Sequence, residues 1–136
     1  MIETGLKGQK EIVVERKDLA SEVGNMGAEV LSTHRVVLLM ELASRNAIER
    51  FLPPGKMTVG TLISIRHFAA APLGSKIRVE STLKEIHGRC HVFDVAAYDE
   101  FERLAEGRNE LLIISAEKFL EKVADKVGRL RRRGTT

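Results

Sequence analysis

Along this chain the spacing of hydrophobic and polar positions changes at a few sharp places. Residues 36–42 read VVLLMEL, six large apolar side chains around one glutamate, and apolar positions continue through Ala47, Ile48 and Phe51 until Pro53-Pro54-Gly55. With Ser32 or Thr33 as N-cap, this predicts a long helix over residues 33–52. From Thr58 the period drops to two. Val59, Thr61, Ile63, Ile65 and His67 alternate with Thr58, Gly60, Leu62, Ser64 and Arg66, the pattern of a strand buried on one face. Pro72-Leu73-Gly74-Ser75 marks a turn, after which Ile77, Val79, Ser81 and Leu83 alternate with polar residues up to His87-Gly88. Residues 91–98 predict the next strand, a polar hairpin falls near Asp99-Glu100 or Glu106-Gly107, and residues 111–114 make a last apolar strand. Upstream, residues 11–15 read as a short strand and 17–23 as one or two helical turns. Downstream, residues 115–131 form an amphipathic helix.

One strand, one helix with little polar surface, then three or four consecutive antiparallel strands predict an α+β protein in which a curved meander wraps a nearly enclosed helix. That is the logic of a hotdog fold, here as a single domain over residues 1–136 with a basic tail from about 129. Such sheets have an exposed edge, so a homodimer is expected, with a tetramer open as a further step.

Composition narrows the classes. With 43% hydrophobic and 30% charged residues the chain is an ordinary globular one, and no apolar run reaches the ~20 residues of a membrane span. Its N-terminus lacks the apolar core of a secretory signal, and Cys90 is the single cysteine, which together point to the cytoplasm. Much of the +3 net charge sits in Arg129, Arg131, Arg132 and Arg133, so it says little about the body. No helix-turn-helix or zinc finger is visible and aromatic residues are few, so nucleic acid is not expected as a partner.

The glutamate within VVLLMEL raises the chemical question, because a charge in an apolar helix is costly unless it is paired or used. On a helical wheel Glu41 borders the arc formed by Val36, Val37, Met40, Ala43, Ala47, Ile48 and Phe51. Arg45, four residues on, offers a structural reason for it, an i,i+4 pair worth ~0.2–0.5 kcal/mol. A second reason comes from the wider pattern. Thr33-x7-Glu41, Pro54-Gly55, Thr58-Val59-Gly60-Thr61, His67 and Ala70-Ala71-Pro72-Leu73-Gly74 together resemble the fluoroacetyl-CoA thioesterase family of single-hotdog proteins, from about residue 27 to 119.

The resemblance implies thioester hydrolysis by a threonine, a glutamate and a histidine at Thr33, Glu41 and His67, with Gly60 beside the thioester. It implies an acyl-CoA partner, coenzyme A entering only as part of the substrate, with no cofactor and no metal. Thioester hydrolysis needs a nucleophile or activated water, a proton carrier and donors for the oxyanion. Glu41 suits the base or nucleophile, His67 a proton relay, and Thr33 a hydroxyl held to the thioester carbonyl or water.

Arg66, Arg78 and the terminal Arg131-Arg132-Arg133 are candidates for the coenzyme A phosphates, against the alternative of solvated surface charges. Where the family often has Gly-x-His-x-Arg, this chain has Gly107-Arg108-Asn109-Glu110-Leu111, so Asn109 takes a substrate-side position that can hydrogen-bond but not titrate. Family members acting on fluoroacetyl-CoA carry aromatic residues in the lid before the threonine. Residues 22–31 contain none, so fluoroacetyl selectivity is not expected. The alternative function is a non-catalytic hotdog module that binds acyl-CoA or a related small ligand.

Overall fold

The computed structural model of the chain describes residues 1–134. Strand β1 (Lys7–Val13) is followed by two short 3-10 turns, Arg16–Asp18 and Ala20–Val23, and by helix α1 (Thr33–Ile48). Ser32, not Thr33, caps α1, its hydroxyl accepting a hydrogen bond from the Arg35 amide at 3.3 Å. The α-helix ends four residues before the expected limit, and a 3-10 turn at Glu49–Phe51 carries the chain to Pro53. Four strands follow, β2 (Lys56–His67), β3 (Lys76–His87), β4 (Cys90–Tyr98) and β5 (Arg103–Ser115), then helix α2 (Ala116–Gly134).

All five strands form one antiparallel sheet in the order β1-β3-β4-β5-β2. The meander of three strands is present, but β2 does not open it: it crosses to the far edge and pairs with β5. The concave face encloses α1. Val36, Met40, Ala43, Ala47 and Ile48 from the helix meet Val79, Leu83, Phe93, Val95, Leu104 and Leu111 from the sheet, all of them buried. Gly8 lets β1 lie flat on α1, since a β-carbon there would strike the Ala43 carbonyl and the Ala47 amide nitrogen. Ser44 and Ser81, both buried, satisfy each other across this interface at 2.8 Å.

Three features of the strands depart from the sequence expectation. Strand β1 runs over Lys7–Val13 rather than residues 11–15, its ladder with β3 beginning at Lys7 opposite Thr82. Strand β5 begins at Arg103, well before the apolar run at 111–114, because the hairpin turns at Asp99–Glu102, where the Asp99 carboxylate accepts from the Phe101 and Glu102 amides. Strand β2 contains a bulge: Gly60 faces Leu111 and Leu62 faces Glu110, so Thr61 is the extra residue. The bulge reverses the inward–outward alternation midway. Thr58 and Gly60 therefore point to the same concave side as Ile63, Ile65 and His67, while Val59 and Arg66 point outward.

Asn109 stands at this bulge. It is fully buried, opposite Ile63, and its side-chain amide donates to the Leu62 carbonyl at 2.9 Å. Helix α2 leaves the sheet at its start and lies mostly in solvent, with Leu120, Val123, Val127 and Leu130 exposed. Its described length takes in Arg129–Arg133, so the expected basic tail is helical there; Thr135 and Thr136 lie outside the described residues.

Candidate active site

Two of the three expected catalytic side chains meet directly. Thr33, at the first position of α1, and His67, the last residue of β2, are joined by a 2.9 Å hydrogen bond between Oγ1 and Nδ1. The other imidazole nitrogen, Nε2, is buried without a hydrogen-bond partner among the described residues. A buried, unpaired ring nitrogen is costly unless a ligand or water meets it.

The N-terminal end of α1 that presents Thr33 is well anchored. Arg35 pairs with Asp18 at 2.7 Å, and Asp18 is buried, its second carboxylate oxygen accepting from the Glu15 amide and its carbonyl from the Ser32 amide. The lid, residues 22–31, leads into this point and is fixed at that end by backbone bridges from Leu31 to Leu19 and from Val30 to Pro72. Its Met26 is exposed, and Phe68, the aromatic residue next to His67, is more than half exposed.

Burial lowers the pKa of His67 below the ordinary imidazole value near 6.5, with the Ala69 backbone acting weakly against it. The ring is therefore neutral at pH 7, able to accept a proton. The sign of the linked stability follows. Below about pH 6.5 the unfolded chain binds this proton more readily than the folded one. Stability is fully present above that pH and is lost as pH falls through the folded value. Urea midpoints of wild type and His67→Gln measured from pH 8 to 5 should show a decline in wild type whose His67 share is missing from the variant.

Glu41 lies two helical turns from Thr33, a rise of ~12 Å between their α-carbons. Its carboxylate rests on Gly60: a β-carbon built there would collide with Oε1 and lie 3.0 Å from Cδ and 3.1 Å from Oε2. Only glycine leaves room for it. Arg45 approaches the same carboxylate at 3.4 Å and donates from Nε to the Thr58 hydroxyl at 3.2 Å, tying the pair to β2. Thus the i,i+4 pair exists, but the Glu41 side chain is only 26% exposed and is turned toward the sheet.

Within one chain, then, the residues form two pairs rather than one cluster. Thr33 with His67 and Glu41 with Gly60 occupy opposite ends of the concave side of β2. Of the other expected residues, Arg66 points to the outer face, away from both pairs, and Asn109 is buried, its amide nitrogen engaged at the bulge and its amide oxygen without a partner among the described residues. Arg45 stands where the i,i+4 spacing put it, while Thr58 is a neighbour of the pair that the sequence reading did not place. On the outer face Cys90 donates to Glu110 at 3.3 Å, and burial followed by that carboxylate pushes its thiol pKa up, the reverse of what a thiolate nucleophile needs. His91 points to the opposite face, and His87, which stands opposite Cys90 in the ladder, is hydrogen-bonded to Glu85 instead.

Comparison with known proteins converges on one family. The family model described as fluoroacetyl-CoA-specific thioesterase matches residues 14–117. A fluoroacetyl-CoA thioesterase from Streptantibioticus cattleyicolor is 37% identical over 98 residues, 72% of this chain and 70% of that protein. A crystal structure of a variant fluoroacetyl-CoA thioesterase in complex with acetyl-CoA superposes with a TM-score of 0.85 at 29% identity, covering 92% of this chain and 98% of that one. A Thermus thermophilus member of the thioesterase superfamily gives 0.84 at 30% identity, covering 99% and 97%. These matches span the concave face and both residue pairs on it: the chain belongs to the fluoroacetyl-CoA-specific thioesterase family of hotdog proteins.

Proposed function

We propose that the protein is an acyl-CoA thioesterase acting as a homodimer, each active site combining Glu41 and Gly60 of one chain with Thr33 and His67 of a second. The carrying observation is the separation of the two pairs along an unpaired edge strand. Strand β2 has β5 on one side and, among the described residues, no neighbour on the other, leaving a row of backbone donors and acceptors that a second β2 satisfies. A two-fold axis near Ile63 and Ser64 makes Gly60 of one copy face His67 of the other. Because the bulge turns both residues to the concave side, the carboxylate of one copy then approaches the Thr33–His67 pair of its partner.

In that composite site Glu41 attacks the thioester or activates water, held on bare backbone at Gly60 and oriented by Arg45. The neutral His67 ring moves the proton toward the departing thiol, and the Thr33 hydroxyl holds the thioester oxygen or the water. The substrate is a small acyl-CoA, as the acetyl-CoA complex of a relative supports. No helix among the described residues is long and apolar enough to cross a membrane, and a single cysteine suits the reducing cytoplasm, where we place the enzyme.

Selectivity for fluoroacetyl-CoA is not part of this proposal, since the lid offers no aromatic ring to gate a small acyl group. Release of free thiol from a panel of short, branched and aryl acyl-CoAs tests the reading. Turnover of at least one short acyl-CoA is expected, with fluoroacetyl-CoA favoured over acetyl-CoA by less than a hundredfold, about 2.7 kcal/mol in kcat/KM. A larger preference would overturn the selectivity inference. Thiol release from none of the panel would leave a binding module in place of an enzyme.

A further inference from the structure

We infer that the groove between the first turns of α2 and the outer face of the sheet binds the phosphorylated nucleotide end of the acyl-CoA substrate, an inference that rests on the thioesterase reading. The groove has a volume of about 530 Å³, within the ~300–1,000 Å³ common for ligand sites. Four cations line it: Lys56 at the start of β2, Arg89 in the β3–β4 turn, and Lys118 and Lys122 on α2. No Asp or Glu lines it, and none of the four cations makes an ion pair among the described residues.

Like charges at i,i+4 oppose helix formation, and Lys118 and Lys122 form no ion pair with Glu121 or Asp125, the carboxylates at i,i+3, so an anion between the two lysines relieves their repulsion. The charge of the site matches the nucleotide end, whose diphosphate and monoester phosphate together carry about four negative charges near neutral pH. Between the cations the floor is apolar, formed by Val59, Leu112 and the Phe119 ring. An aromatic side chain beside phosphate-binding cations suits a purine, which stacks on aromatic rings.

The position also fits. Val59 precedes Gly60 and points to the opposite face, so the groove lies one sheet layer behind the Glu41 carboxylate. With Gly60 facing His67 of a second copy, residues 56–59 extend past the end of the neighbouring strand, which stops at His67. The β2 edge is then open at this end, and the pantetheine arm rounds it from the outer groove to the concave site.

The test is the double variant Lys118→Glu with Lys122→Glu. Both side chains are exposed, so the fold is expected to survive, as circular dichroism would record. In calorimetry with adenosine 3′,5′-bisphosphate, which needs no catalysis, wild type should bind and the variant should bind at least ten times more weakly. With the best acyl-CoA, KM should rise at least tenfold at unchanged kcat, while KM for the corresponding acyl-pantetheine, which lacks the nucleotide, stays where it was.

A second variant with equal charge change on other strands, Lys10→Glu with Lys84→Glu, separates a site from general attraction. If it weakens bisphosphate binding as much, or if wild type does not bind the bisphosphate, the groove assignment is overturned. Bisphosphate binding lost in the groove variant alone supports the groove even if no acyl-CoA is hydrolysed, which would count against the thioesterase reading instead.

Discussion

Glu41→Gln is expected to lower hydrolysis of the best acyl-CoA at least ~100-fold, the lower scale for losing a positioned base, while shifting the melting temperature by no more than about 4 °C. The amide keeps the size of the side chain on Gly60 and forfeits only the partly exposed pair with Arg45. Arg45→Gln is the control. It loses the same ion pair but keeps the carboxylate, so its rate should fall less than tenfold through looser orientation alone. If Glu41 served only as a partner for Arg45, both variants would lose similar stability and neither would lose much activity. Hydrolysis that survives Glu41→Gln within a factor of a few would remove this residue from the chemistry.

The same variant also tests where the site is assembled. Glu41→Gln and His67→Ala chains, each nearly inactive alone, should recover about a quarter of wild-type activity when co-expressed in equal amounts. Half of randomly paired dimers are mixed, and each mixed dimer holds one site with an intact Glu41 from one chain and an intact His67 from the other. No recovery in dimers shown to be mixed would place the complete site within a single chain.

What the sequence made legible depends on how local the cause is. The N-cap region and the apolar face of α1 are set by residues within a few positions of each other, and they appear where the pattern predicts them, whereas the α-helix gives way to a 3-10 turn four residues before the expected limit. The start of β5 was hidden for a physical reason. Its inward positions Ala105, Gly107 and Asn109 are small or polar, because β2 lies so close that a β-carbon at Gly107 would strike the Ser64 carbonyl. Without large apolar residues a period of two leaves no hydrophobic trace.

The bulge at Thr61 was invisible in the same way. Val59, Thr61, Ile63 and Ile65 read as unbroken alternation, whereas the phase is reset by pairing with residues fifty positions away and by the bond from Asn109 to the Leu62 carbonyl. This single shift changes the reading of the site. An unbroken alternation would put Gly60 and His67 on opposite faces, and it is the extra residue that turns both toward α1. The crossing of β2 to the far edge is likewise a matter of long-range pairing, and it is what leaves the edge free for a second chain. The residues of the site were recognised through a resemblance, but their division into two pairs required the register.

Gly60→Ala should abolish most activity at little cost in stability, because the atom in the way is the end of a flexible side chain rather than backbone. The added methyl group occupies the place where the Glu41 carboxylate rests, colliding with Oε1 and crowding Cδ at 3.0 Å. Backbone strain is not an obstacle, since Gly60 is not among the glycines with positive φ. The carboxylate must therefore swing outward, toward Arg45 or solvent, by roughly an ångström or more. A displacement of that size from a reactive geometry costs on the order of 100-fold in rate, whereas methyl overpacking against a mobile carboxylate should lie at or below the lower end of the ~1–3 kcal/mol range. Thermal denaturation and steady-state hydrolysis measured on the same preparation check this. The expected result is a melting temperature close to wild type with a rate loss like that of Glu41→Gln, and combining the two substitutions should add little further loss because both remove one carboxylate from one place. A Gly60→Ala enzyme with wild-type turnover would mean that the carboxylate works from a position other than its seat on Gly60.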